Sequence, residues 1–229
     1  VPTVGDFGTL GQMPTNPELL DWLASEFMNQ GWSLKRLHRL ILTSATYQQS
    51  SERRSEAERI DPDNQLLSRM NVRRLEAEAI RDSLLSVCDK LNTKHDGAAV
   101  PVMFTEEGQI VLGSDTTDTA GRQTGKFIPL NGEEFRRSVY VQIRRTRPLE
   151  IFAAFDAPAM TDPNCEARPV TTVSPQSLLL MNNNYLREYA GYFARRVQTE
   201  RSDLTAQIHR AWELAYNRPM SMADEQAAQ

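Results

Sequence analysis

Residues 168–197, RPVTTVSPQSLLLMNNNYLREYAGYFARRV, carry the signals of two helices and the break between them. Ser174 is a capping residue type, and Pro175 suits a first turn, where its missing N–H leaves no bond unmade. Leu178 to Met181 form an apolar run expected to enter a core. Asn182, Asn183 and Asn184 then interrupt it, because their amides compete with the backbone for hydrogen bonds. The helix restarts at Tyr185, with Leu186, Tyr189, Phe193 and Val197 at helical spacing. The stretch reads as helix, break, helix. Its polar frame, Thr171, Thr172, Gln176 and Asn182, is punctuation first and a candidate site second.

The same grammar runs outward in both directions. Asn16, Pro17 and Glu18 open a helix whose Leu19, Leu23 and Phe27 recur on one face. Gly31 ends it, and Ser33 caps a second helix with Leu34, Leu37, Leu40 and Ile41 inside. So short a link predicts a helical hairpin. A long helix is expected from about Asn64 to Leu91, with Leu75, Ile80, Leu84 and Cys88 inward. Arg73, Arg74, Glu76, Glu78, Arg81 and Asp82 form its solvated face. Residues 92–135 lose periodicity and read as an irregular, insertion-like segment in which only QIVLG suggests a strand. The clearest strand is RRSVYVQIRR, with Val139, Val141 and Ile143 on one side. Ile208, Trp212 and Tyr216 mark a last helix before Pro219. The sum is one domain over residues 1–229, mainly α, with about seven helices and two or three short strands around 137–144.

Composition narrows the function. The 229 residues are 40 % hydrophobic and 24 % charged, ordinary for a globular chain, and the net charge of −4 argues against a nucleic-acid partner. No apolar run reaches the roughly 18 residues of a membrane span, so no membrane insertion is expected. The chain opens on Val1 and closes inside a helical run, so it reads as part of a longer protein. Cys88 belongs to an apolar stripe, as an inert buried thiol does, and Cys165 sits in a loop.

Chemistry-bearing patterns are sparse. His38, His95 and His209 have no metal-pair spacing, and there is no CxxC, CxxCH or GxSxG. Neither haem nor a structural transition metal is therefore expected within this chain. Asp115 and Asp118 offer oxygen ligands but lack EF-hand spacing, which leaves a solvated turn. Arg136, Arg137, Arg144, Arg145 and Arg147 gather near Tyr140 and read either as an anion- or sugar-binding patch or as partners of nearby acids. Asp156 is expected to pair with Arg137, Arg145 or Arg168, since a partly buried carboxylate needs a cation.

Four motifs in order, FGTLGQMPTNPELLDWLASEFMNQGWSLKRLHRLILTSATYQQSS, RRLEAEAIRDSLL, RRSVYVQIRRTRPLEIFAAFDAP and ARPVTTVSPQSLLLMNN, resemble planctomycete-specific domain one. That is a C-terminal domain of unknown function in large cytochrome-c-type multidomain proteins. The likeness spans nearly the whole chain and includes Trp22, Trp32, His38, Glu76, Arg81, Asp82, Arg137, Ser138, Tyr140, Asp156, Arg168, Thr171, Thr172, Gln176 and Asn182. Ser174 and Ser177 stand where alanine is frequent. The resemblance implies a bacterial, extracytoplasmic parent whose haem lies elsewhere, and it brings no catalytic residues. The expected function is a non-catalytic binding or interaction module for neighbouring domains or a polysaccharide. The alternative is a hydrolase using Asp156 or Glu76 with His38 and the arginines.

Overall fold

The computed structural model describes residues 2–6, 8–105, 108–117, 119–120, 123–144, 148–158, 168 and 170–228. Its contacts form two compact units, one over Val1–Arg74 and one drawing on Leu75–Pro163 and Arg168–Gln229. Among the described residues it is mainly α with a small antiparallel β element.

In the first unit, α1 (Pro17–Asn29) and α2 (Leu34–Leu42) are joined by a four-residue link. Ser33 Oγ accepts from Arg36 N, and Gly31 and Trp32 turn the chain through positive φ. Phe27 and Trp32 meet edge to face with centroids 5.3 Å apart. The apolar stripes are present, yet neither helix has a fully buried residue. A unit this small encloses too little volume to cover them. A short α3 (Ser55–Ile60) follows.

The long helix expected from Asn64 does not start there. Asn64 is buried at φ 53°, and its amide bonds Arg69 O at 2.7 Å and Asn71 Oδ1 at 3.0 Å. Its Oδ1 accepts from Ser68 Oγ and Arg69 N. An asparagine that satisfies a loop this fully outcompetes the helix ladder. Leu75, expected inside, is exposed.

The second unit begins with α4 (Ala77–Val87). Asp89, at φ 56°, ends it in a Schellman turn, with Lys90 N bonding Leu85 O and Asp89 N bonding Ser86 O. The segment expected to be irregular holds the β element. β1 (Val102–Phe104) pairs with β2 (Ile110–Leu112), and β3 (Ser114–Thr117) with β4 (Gln123–Ile128), all antiparallel. Among the described residues five helices follow, α5 (Glu150–Ala154), α6 (Ser174–Asn182), α7 (Asn184–Glu200), α8 (Leu204–Tyr216) and α9 (Met222–Ala228). α4 packs on α5 and α7, while α6 and α8 flank α7.

The run expected as the best strand, 137–144, is a 3-10 turn at Ser138–Tyr140 followed by a single parallel bridge between Val100 and Val141. Asp82 imposes the turn, since its Oδ1 accepts from both Ser138 N and Ser138 Oγ at 2.7 Å. Arg136, Ser138 and Val141 point inward, while Val139 and Ile143 lie in solvent. Of the three alternating positions only Val141 is buried, so the run does not present one apolar face.

Arg81, expected on the solvated face, is 2 % exposed. Its Nη1 donates to Arg136 O at 2.9 Å and to Ser138 Oγ at 3.1 Å, and its Nη2 donates to Glu134 O. Burial lowers its pKa, while the Tyr189 hydroxyl and Asp82 oppose that shift. Arg136, 1 % exposed, donates to Ala98 O and Asp96 O and lies 4.0 Å from the Tyr140 ring centroid. Around these arginines sits the core of Val100, Val102, Leu112, Val141, Leu149 and Phe152. Cys88 is a free, buried thiol beside Leu85 and Tyr189, as its stripe position implied, and Cys165 lies outside the described residues.

At the far side of α7, Glu200 takes Arg196 Nε at 2.8 Å and Arg210 Nε at 2.6 Å, tying α7 to α8. Arg196 also donates to Ser86 O and Val87 O, capping the last turn of α4.

Two outcomes are expected. Arg81→Leu strands one buried and one half-buried carbonyl and a buried hydroxyl, so the urea midpoint should report a loss of about 3 kcal/mol; a loss under about 1 kcal/mol would show that other donors replace it. Hydrogen bonds from Arg196 and then Arg210 hold the Glu200 carboxyl down at about 2. An unfolded Glu titrates near ~4.3, so this clamp contributes fully above that pH and is lost as pH falls toward 2. Acid melts of Glu200→Gln should therefore lack part of the wild-type decline between those limits.

Candidate functional site

The asparagine run does break the helix, and Asn183 is the residue that does it. Its Oδ1 accepts from Tyr185 N at 3.0 Å and Leu186 N at 3.4 Å, capping α7, while its Nδ2 donates to Glu150 Oε2 at 3.2 Å. This cap fixes the phase of α7, so that Tyr185, Leu186 and Tyr189 line one wall of a cleft. β2 supplies Ile110 and Leu112, the start of α5 supplies Leu149, Glu150 and Ile151, and α4 supplies Arg81. The cleft's cavity volume is about 40 Å³. Beyond Glu150, Asn183 and Tyr185 it widens into an outer recess of about 170 Å³ that Gln109, Asn182 and Asn184 line.

The electrostatics set what this cleft can do. Burial first, then Tyr189, Glu188 and Glu150, pushes the Tyr185 hydroxyl up to about 12. Tyr189 is raised as well, mainly by burial, with Arg81 opposing. Both phenols are therefore neutral at physiological pH and can donate or accept. Arg81 brings a cation to the inner wall, but its Nη1 and Nη2 donors are directed at the Arg136 and Glu134 carbonyls and at Ser138. Among the described residues no three His, Cys, Asp or Glu side chains come together as a metal site.

The residues singled out from sequence separate into distinct places. Asp156, Thr171 and Gln176 do meet. Asp156 follows α5 at φ 58°, and Ala157 N closes a Schellman turn onto Phe152 O. Its carboxylate accepts from Thr171 N at 2.8 Å and from Thr171 Oγ1 at 2.9 Å. Buried Gln176 donates to Ala154 O and Thr171 O, and its Oε1 accepts from Val173 N. Gln176 thus does the capping expected of Ser174, which is instead the first residue of α6. Arg137 reaches Asp82 at 3.5 Å, and Arg168 reaches Glu76 at 3.0 Å and Glu78 at 2.7 Å. Tyr140 stacks on Arg136 and its hydroxyl accepts from Asp96 N. Thr172 is exposed, Asn182 lies at the outer recess, and Arg145 falls outside the described residues. Of the apolar run 178–181, only Leu179 packs on the core, with Leu178, Leu180 and Met181 exposed.

Sequence reasoning missed Arg81, Glu150, Asn183, Tyr185 and Tyr189 as a group. One signal was available, since Arg81 shares the helical stripe of Leu84, Leu85 and Cys88.

A helical domain with a small β element and an apolar cleft edged by amides and phenols is the class that these features define. The whole chain, residues 1–229, matches the family model PSD1, described as a protein of unknown function (DUF1553), and the chain belongs to that family. No curated protein and no solved structure matches it.

The Asp156 turn supplies the next expected outcome. Asp156→Ala loses the Thr171 bonds and leaves a β-carbon in the left-handed region, whereas Asp156→Gly loses only the bonds. Chemical denaturation should place the alanine variant about 1 kcal/mol below the glycine variant. Thr172→Ala should stay within about 0.5 kcal/mol of wild type, as exposed positions do.

Proposed function

We propose that this chain is a non-catalytic binding module of a larger, extracytoplasmic bacterial protein of the cytochrome-c type, and that the cleft between β2, α5 and α7 is its binding site. One observation carries the proposal. The Tyr185 hydroxyl lies in a half-buried apolar wall, and among the described residues it has no hydrogen-bond partner. Concave, mainly apolar pockets with a few placed polar groups are the usual form of a ligand site. The groups that a hydrolase would use have structural partners: Glu76 meets Arg168, and Asp156 holds Thr171. Exposed apolar side chains of the first unit, Trp22 and Trp32 among them, support docking to neighbouring domains of the parent. The resemblance to planctomycete-specific domain one supports the C-terminal placement and the exported setting.

A thermal-shift screen of a small-molecule library against the full chain tests the cleft. A ligand at about 100 times its Kd stabilises by about 2.7 kcal/mol, a rise of several degrees for a protein of this size. Tyr185→Phe should keep the fold and reduce that rise. Hits whose shifts ignore Tyr185→Phe, or a library with no hit, would remove the cleft as the site. Turnover of a bound compound would establish the hydrolase alternative.

A further inference from the structure

We infer that the ligand of this cleft is uncharged and amphipathic, with a short alkyl or aryl group in the inner chamber and a hydroxyl-rich, saccharide-type head in the outer recess. The inference rests on the cleft being a binding site, and it names the ligand's chemistry.

The inner chamber is walled by Leu112, Leu149, Ile151 and Leu186. Among the described residues its one cation is Arg81, which directs Nη1 and Nη2 to the carbonyls of Arg136 and Glu134 and to Ser138 Oγ. An anion entering the chamber would have to break those bonds, and it would pass Glu150 at the mouth. Sulfates, phosphates and carboxylates are therefore disfavoured, and an apolar group fits.

The outer recess has the opposite character. Gln109, Asn182 and Asn184 are exposed along it, and none of their side-chain amides has a hydrogen-bond partner among the described residues. Each amide offers two donors and an acceptor. Glu150 adds a carboxylate whose Oε2 already takes the Asn183 amide, and Tyr185 adds a phenol held neutral. Hydroxyl groups both donate and accept, so a polyol head uses this mixture fully. An ammonium group would use Glu150 and leave the amides without a role. The proximity of the two chambers, joined at Ile110, Glu150, Asn183 and Tyr185, asks for both characters in one molecule.

The test is a titration of the full chain, followed by NMR, with hexyl β-glucoside, hexyl β-galactoside and hexyl α-mannoside, and with 1-hexanol, hexylammonium and hexyl sulfate as controls. At least one glycoside should bind about tenfold tighter than 1-hexanol, because a site built for hydroxyls discriminates against ligands lacking them. The Asn182→Ala/Asn184→Ala double variant, changed only at exposed positions, should lose most of that advantage while its affinity for 1-hexanol stays unchanged. If 1-hexanol or hexylammonium matches every glycoside, or hexyl sulfate binds tightest, the ligand class is wrong and the cleft remains a binding site. If none of the probes binds while library compounds do shift melting through Tyr185, the saccharide head is likewise overturned.

Discussion

A buried guanidinium organises the second unit. Arg81 leaves α4 and ends, itself buried, among the backbone carbonyls of Arg136, which is buried, and Glu134, which is half-buried. A buried carbonyl left without a donor costs about 1–3 kcal/mol. The next residue, Asp82, takes the N–H and hydroxyl of Ser138 from the other side. Two adjacent side chains of one helix thus clamp a non-helical segment. That clamp sets where Val141 bridges Val100, and Val100 leads directly into β1. The cleft floor at Ile110 and Leu112 is β1's partner strand, so the site's shape traces back to this arginine.

The ends of elements carry as much of the architecture as their middles. α4 and α5 both finish with an aspartate in the left-handed region, where glycine is the usual choice. At α5 the departure has a use, because the Asp156 carboxylate fastens the segment that leads into α6. Gln176 closes the same corner from the helix side, bonding Ala154 O across from α5. The polar frame at 171–176 is therefore a joint between two helices.

How much of this was legible depends on the range of the physics involved. Ser33 and the Asn182–Asn184 break were readable because a cap is a contact within a few residues. The first residue of α4 was not, because Asn64 has a helix-compatible sequence around it and a loop-making set of partners up to Asn71. The 137–144 run has real alternation, but Asp82, more than fifty residues earlier, overrides it. β3 is polar throughout and β4 has a glycine in its middle, so their pairing rests on backbone bonds that no hydrophobic period announces. For the site, Tyr185 and Tyr189 stood at the right spacing, whereas Arg81 was concealed by charged neighbours that suggested solvent.

Cys88 gives the interior a clock. Its thiol donates to the Tyr189 carbonyl at 3.1 Å, and burial pushes its pKa up, so the reactive thiolate is scarce in the closed state. An alkylating reagent can react only after α4 and α7 part locally. The rate of thiol capture then reports how readily that interface opens, and a molecule lodged against Tyr185 and Tyr189 would slow the capture without touching the sulfur.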